Sequence, residues 1–168
     1  SPPRSYLGLD ASLPLLTAAR RRLAEVGWPH VFAAADLDTW PFTDDVRFDL
    51  ITLFAVLQHV PSSLARTALM ARLTTCLAPG GLLVLSSWRL DRWPGRARRE
   101  VPWSAALIDT ADVEPGDTLL GWDDDPTALR YVHHFGDQEL TDLAISAGLL
   151  VSDDFVADGR GGDLNRYL

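Results

Sequence analysis

Short apolar runs alternate with amphipathic stretches along the first half of the chain. After a proline-containing connector, Ser1 to Ser5, the run Ser5 to Asp10 predicts a buried parallel strand. Ser12 is placed to N-cap a helix from about Leu13 to Val26, with Leu15, Leu16, Ala19, Leu23 and Val26 on one face and Gly27 as its stop. His30 to Ala34 predicts the next strand and Asp36 to Val46 a polar loop. Phe48 to Phe54 predicts an apolar strand of the kind covered by helices on both faces. Pro61 to Ser63 cap a helix from about Leu64 to Leu77, Pro79 to Gly81 form a turn, and Leu82 to Ser87 is a strand.

The second half is less regular. Ser87 to Gly116 carries tryptophans and arginines with a short helix near Ser104 to Asp109. Thr118 to Trp122 and Leu129 to Phe135 predict a strand pair, with the acidic run Asp123 to Asp125 as an exposed turn between them. Asp137 to Ala147 is a helix stopped by Gly148, and Leu149 to Ala157 and Leu164 to Leu168 are two strands joined by a glycine-rich hairpin loop. Alternation of strand and helix implies an α/β fold, a Rossmann-like doubly wound and mostly parallel sheet with an antiparallel C-terminal hairpin.

Composition narrows the picture. A chain of 168 residues, 47% of them apolar, is one domain with a real core. No apolar run approaches the ~20 residues needed to cross a bilayer, so no membrane partner is expected. The single Cys76 cannot form an internal disulfide, which points to a reducing, cytoplasmic compartment, and it reads as a small buried hydrophobe. The net charge of −8 argues against a generic nucleic-acid binder. All fifteen cations are arginine, so any anion site here is built from planar, permanently charged forks. His30, His59, His133 and His134 lack cysteine or carboxylate companions at ligand spacing, and no metal is expected.

Tyr6 to Asp10, Phe48 to His59 and Leu77 to Ser86, in that order and spacing, resemble the class I S-adenosylmethionine-dependent methyltransferases. The resemblance implies S-adenosylmethionine as cofactor. It assigns the ribose hydroxyls to Asp10, the adenine to Asp36 and the next backbone amide, Leu37, and further cofactor contacts to Ala11 and Phe54. Read from the residues alone, Asp10 is equally a carboxylate at a helix N-terminus. His59 could be a general base, since its unperturbed pKa lies near neutrality, or could only pack beside the cofactor.

Arg130, Tyr131, His133 and Phe135, before a helix, resemble the tRNA wobble-uridine carboxymethyl methyltransferases, which esterify a carboxylate. That resemblance places Arg130 and His133 with His59 as catalytic candidates, and Tyr131 with Arg89 and Trp122 as substrate contacts. A carboxylate is already a nucleophile at neutral pH, and an arginine fork fits it bidentately. The same segment also reads as a cap strand with Tyr131 and Phe135 in the core. Between Trp88 and Trp103, arginines interleave with tryptophans, as in a single-stranded nucleic-acid surface or a solvated loop whose tryptophans cover the sheet edge.

The expected function is methyl transfer to an acceptor, favoured as a carboxylate, on a small molecule or a tRNA, with a small activating protein partner in the tRNA case. Alternatives are a small-molecule enzyme using His59 or His133 as base, with Trp40, Phe42, Trp103 and Trp122 lining its pocket and Arg89 to Arg99 turned to solvent, and a degenerate binding module. In the family a glycine-rich turn precedes the ribose-binding Asp by about 20 residues, whereas nine residues precede Asp10. The chain therefore reads as residues 1–168 of a partial, N-terminally truncated domain with a substrate-side insertion at about 88–135, binding cofactor weakly and inactive by itself.

Overall fold

The computed structural model describes residues 3–43, 45–122 and 125–168, without the side chains of Asp125 and Pro126. Ser1 and Pro2 of the expected connector, Asp44 of the polar loop, and Asp123 and Asp124 of the expected acidic turn lie outside them. The chain forms two compact units, one within Ser1–Thr43 and one within Asp44–Leu168.

In the first unit, β1 (Tyr6–Asp10) pairs in parallel with β2 (His30–Ala34), Asp10 opposite Ala34. Between them runs α1 (Leu13–Val26), whose first turn is closed by the Ser12 hydroxyl accepting from the Leu15 amide. Gly27, at φ 69°, takes the left-handed conformation that ends it. Leu16 is the buried side chain of the helix, flanked by half-buried Ala19 and Leu23. Leu15 and Val26, expected on that face, are exposed, because the stripe follows i, i+3 and i+7 from Leu16. Gly8 is required by packing: a Cβ there would stand 2.4 Å from the Phe32 ring lying across β1.

In the second unit the sheet order is β3 (Phe48–Phe54), β4 (Leu77–Trp88), β8 (Asn165–Tyr167), β7 (Phe155–Ala157), with β3 and β4 parallel and the last pairings antiparallel. The expected turn at Pro79 to Gly81 lies inside β4, as a register shift opposite Phe48 to Leu50. Gly81 fits there because a Cβ would meet the Ala78 and Phe48 carbonyls at 2.9 and 3.0 Å. β3 is not covered on both faces as expected: Leu53 is 4% exposed, but Leu50 and Phe54 are 54% and 56% exposed. β7 is shorter than expected, since Ser152 to Asp154 are polar and Asp154 is engaged by Arg166 at 2.9 Å.

α2 (Ser63–Thr75) precedes β4, and after it come the single turn α3 (Arg96–Arg99) and a 3-10 turn, Trp103–Ala106, where a short helix from Ser104 was expected. β5 (Asp117–Trp122) and β6 (Asp125–His133) form the expected antiparallel pair, and α4 (Glu139–Ser146) follows. Leu90, Leu120 and Val132 form a small core on one face of that pair, with Trp88 and Trp93 packed against it. The tryptophans of the 88–103 segment thus cover a sheet face, while Arg92 pairs with Asp91 and Arg96 with Glu100.

Candidate functional site

Parallel pairing of β1 and β2 brings their carboxyl ends to one edge, and with them Asp10, Ala11, Asp36 and Leu37. The Asp10 Oδ1 accepts from the Ser12 amide at 2.7 Å, and the Asp36 Oδ1 from the Asp38 amide at 3.0 Å. Each carboxylate is oriented by one of its oxygens, and the other oxygen has no partner among the described residues. Two fixed carboxylates on such an edge fit the hydroxyl and amino donors of a nucleoside. Phe54 ends β3 in the other unit, its ring edge-on to Tyr167 at 6.3 Å. Gly80 and Gly81 lie inside β4, and Gly159 to Gly162 between β7 and β8, so neither set forms a strand-to-helix turn.

The second unit holds a cavity of about 400 Å³ lined by Trp88, Trp93, Trp122, Leu90, Leu120 and Leu164, with Arg89, Arg99 and Arg130. Among the described residues no acidic side chain lines it, in a chain whose net charge is −8. The Arg130 guanidinium lies 4.1 Å from the centre of the Trp122 ring and 5.9 Å from that of Trp88. Burial lowers its pKa from the ordinary arginine value, and it remains a cation at neutral pH. Arg89 donates to the Asp163 carbonyl at 3.3 Å and faces Asp91 at 3.9 Å.

Side chains alternate along β6, and this divides the residues that the sequence groups together. Arg130 and Val132 face the cavity and the small core; Tyr131 and His133 face the opposite way. There the Tyr131 hydroxyl donates to the Asp117 Oδ1 at 2.6 Å, which also meets the His133 Nδ1 at 2.7 Å. The His133 Nε2 meets the Glu139 Oε1 at 2.7 Å, so both ring nitrogens are taken by carboxylates and the ring is 1% exposed. Burial, and then Asp117, push the Tyr131 phenol above its ordinary pKa. Arg66, 2% exposed, completes the network by donating to the Val60 carbonyl, the Tyr131 hydroxyl and Glu114 at 3.2, 3.2 and 2.8 Å. The Ser63 amide, with Arg66, holds the Glu114 carboxyl below the usual range.

The sequence offered His133 no carboxylate companions at ligand spacing, and the fold supplies them from β5 and α4. One ligand atom each of Glu114, Asp117 and His133 lies within 4.8 Å of the others. Of these carboxylates, Glu114 accepts from Arg66 through its Oε2 and Asp117 from the Tyr131 hydroxyl through its Oδ1.

His59 ends the 3-10 turn after β3. Its Nδ1 donates to the Tyr131 carbonyl at 2.9 Å, and its ring stands edge-on to Trp88 at 5.3 Å. A carbonyl only accepts, so the neutral ring carries its proton on Nδ1 and leaves Nε2 as a base. Burial lowers the His59 pKa below 6.5, the Tyr131 carbonyl opposes this, and the Arg130 charge adds to the lowering.

Trp88, Trp93, Arg99 and the Leu lining were not among the expected site residues; three Trp and five Arg within one loop-rich segment were the available signal. Trp103, expected in a pocket, packs toward Tyr131 at 6.4 Å, and Arg89 and Arg99, expected to face solvent in that arrangement, line the cavity.

The Rossmann-like fold is that of the S-adenosylmethionine-dependent methyltransferases, and residues 2–81 match the model of a family described as a methyltransferase domain. A methyltransferase of that kind from Methanosarcina mazei superposes with a TM-score of 0.71 at 18% identity, over 97% of this chain and 79% of that one. The trans-aconitate 2-methyltransferase of Methylobacterium radiotolerans is 38% identical over 115 residues, 66% of this chain and 41% of that protein. A probable tRNA methyltransferase 9B of Mus musculus is 32% identical over 104 residues, 60% of this chain and 22% of that protein. The chain thus spans about two fifths of the bacterial relative. Among the described residues no helix is long and apolar enough to cross a membrane.

Proposed function

We propose that the protein is an S-adenosylmethionine-dependent O-methyltransferase acting on a carboxylate held by Arg130. Asp10 and Asp36, with Ala11 and Leu37, would hold the cofactor. When bound, it supplies the methyl group: an acceptor oxygen bonds to that carbon as the carbon–sulfur bond breaks, the electron pair stays on sulfur, and no proton is removed. Arg130 neutralises and orients the acceptor, and the tryptophan walls exclude water. Placement of this kind is worth about 7–11 kcal/mol at best. The observation that carries the proposal is Arg130 itself, half-buried against tryptophan with no hydrogen bond or ion pair among the described residues. Relatives named for trans-aconitate, a carboxylate, support it. All lining residues except Leu164 come from 88–135, which supports that segment as the substrate-side insertion.

A second proposal takes His59 as base for a hydroxyl or amine acceptor, favoured by its free Nε2. A tRNA acceptor is less favoured, since a charge of −8 repels phosphate and would call for a protein partner. Methyl transfer from labelled cofactor, by protein that includes any native sequence upstream of residue 1, tests the choice. Product that is hydrolysed by mild base is an ester, as expected; base-stable product favours the second proposal.

A further inference from the structure

We infer that the acceptor is an aryl monocarboxylate, one carboxylate carried on a flat aromatic frame. This rests on the cavity being the acceptor site. Of its three arginines, only Arg130 offers a guanidinium without a hydrogen bond or ion pair among the described residues. Arg89 is engaged by the Asp163 carbonyl and Asp91, and Arg99 lies over the Trp93 ring at 5.3 Å. Trp122 covers one face of Arg130, which leaves the N–H edge for a bidentate oxygen pair. One available fork calls for one negative charge.

Apart from the arginines and Gly121, the lining is tryptophan and leucine. Trp88, Trp93 and Trp122 offer ring faces and edges that favour a flat π-system over a saturated ring of equal size. A tricarboxylate would bring two further charges to arginines that already have partners and to indole and leucine, which desolvates them without a free fork. About 400 Å³ lies near the low end of the roughly 300–1,000 Å³ of ligand sites, room for a one- or two-ring acid.

Quenching of the tryptophan fluorescence reports occupancy without turnover. The probes are cinnamate, cinnamamide, 3-cyclohexylpropanoate and trans-aconitate. Cinnamate is expected to bind at least about tenfold more tightly than each of the others. Arg130→Gln should erase the acid-over-amide preference alone, and Trp122→Leu the aromatic-over-saturated preference alone, with Trp122→Phe restoring it. Equal binding of cinnamate and 3-cyclohexylpropanoate, tighter binding of trans-aconitate, or no binding of cinnamate overturns the inference. These comparisons need no cofactor. Cinnamate preference without methyl transfer defeats only the enzymatic proposal, and turnover of a tricarboxylate without aryl preference defeats only this inference.

Discussion

His59 and Tyr131 are joined side chain to backbone, the imidazole Nδ1 donating to the Tyr131 carbonyl at 2.9 Å. The bond ties the turn after β3 to the strand that carries Arg130. Burial, and then the Arg130 charge, disfavour the charged form of the ring against the pull of that carbonyl. The folded pKa lies below the unfolded 6.5, so the stabilisation is full above pH 6.5 and is lost as pH falls through the folded value. Removing the ring should remove that acid sensitivity. The melting-temperature gap between wild type and His59→Asn should narrow from about pH 7.5 to about pH 5. A gap that stays constant contradicts the assignment.

Arg66 should be the costliest side chain of the β6 network to lose. Its removal leaves Glu114 with Ser63 alone and takes one donor from each of the Tyr131 hydroxyl and the Val60 carbonyl. Arg66→Met should destabilise by about 3 kcal/mol in denaturant unfolding. Arg66→Lys should recover little, because one ammonium cannot reproduce a fork serving three acceptors. Full recovery with lysine would show that charge alone matters there.

His133 is predicted to act on stability and not on the acceptor. His133→Leu should cost about 1–3 kcal/mol, since Asp117 and Glu139 each lose a partner. Acceptor affinity should stay unchanged at a temperature where the variant is folded. A large affinity loss with normal stability would place His133 in the substrate site instead.

Gly8 tests the packing of the first unit. Gly8→Ala should destabilise by roughly 1–3 kcal/mol by forcing Phe32 aside. Phe32→Ala in the same chain should remove most of the penalty added by Gly8→Ala. Additive costs would mean that the two residues do not meet.

Much of this fold is legible in the sequence because its signals are local. Ser12 and Gly27 bound α1, the apolar runs mark β1 to β4, and Asp10 and Asp36 fall at strand ends by position alone. What stayed hidden depends on pairing at a distance. That Arg130 and His133 share a strand was readable. Alternation along the strand then puts them on opposite faces, but their neighbours depend on the β5–β6 register, which sets Arg130 opposite Leu120 and His133 opposite Asp117. The side-chain partners Glu114 and Tyr131 of Arg66 lie 48 and 65 residues away, and no spacing rule connects them. The turn expected at Pro79 to Gly81 became a kink within β4 because the pairing with β3 resumes at once.

The most direct measurement is a calorimetric titration of S-adenosylmethionine into the protein, with any native sequence upstream of residue 1 included, beside its Asp10→Asn and Asp10→Ala variants. Asn retains the oxygen that meets the Ser12 amide, so both variants should fold, with Ala less stable. The account predicts saturable binding by the wild type and a loss of at least about tenfold in both variants, because the carboxylate itself meets the cofactor. Wild-type affinity in Asp10→Asn, or no saturable binding by the wild type, would contradict it.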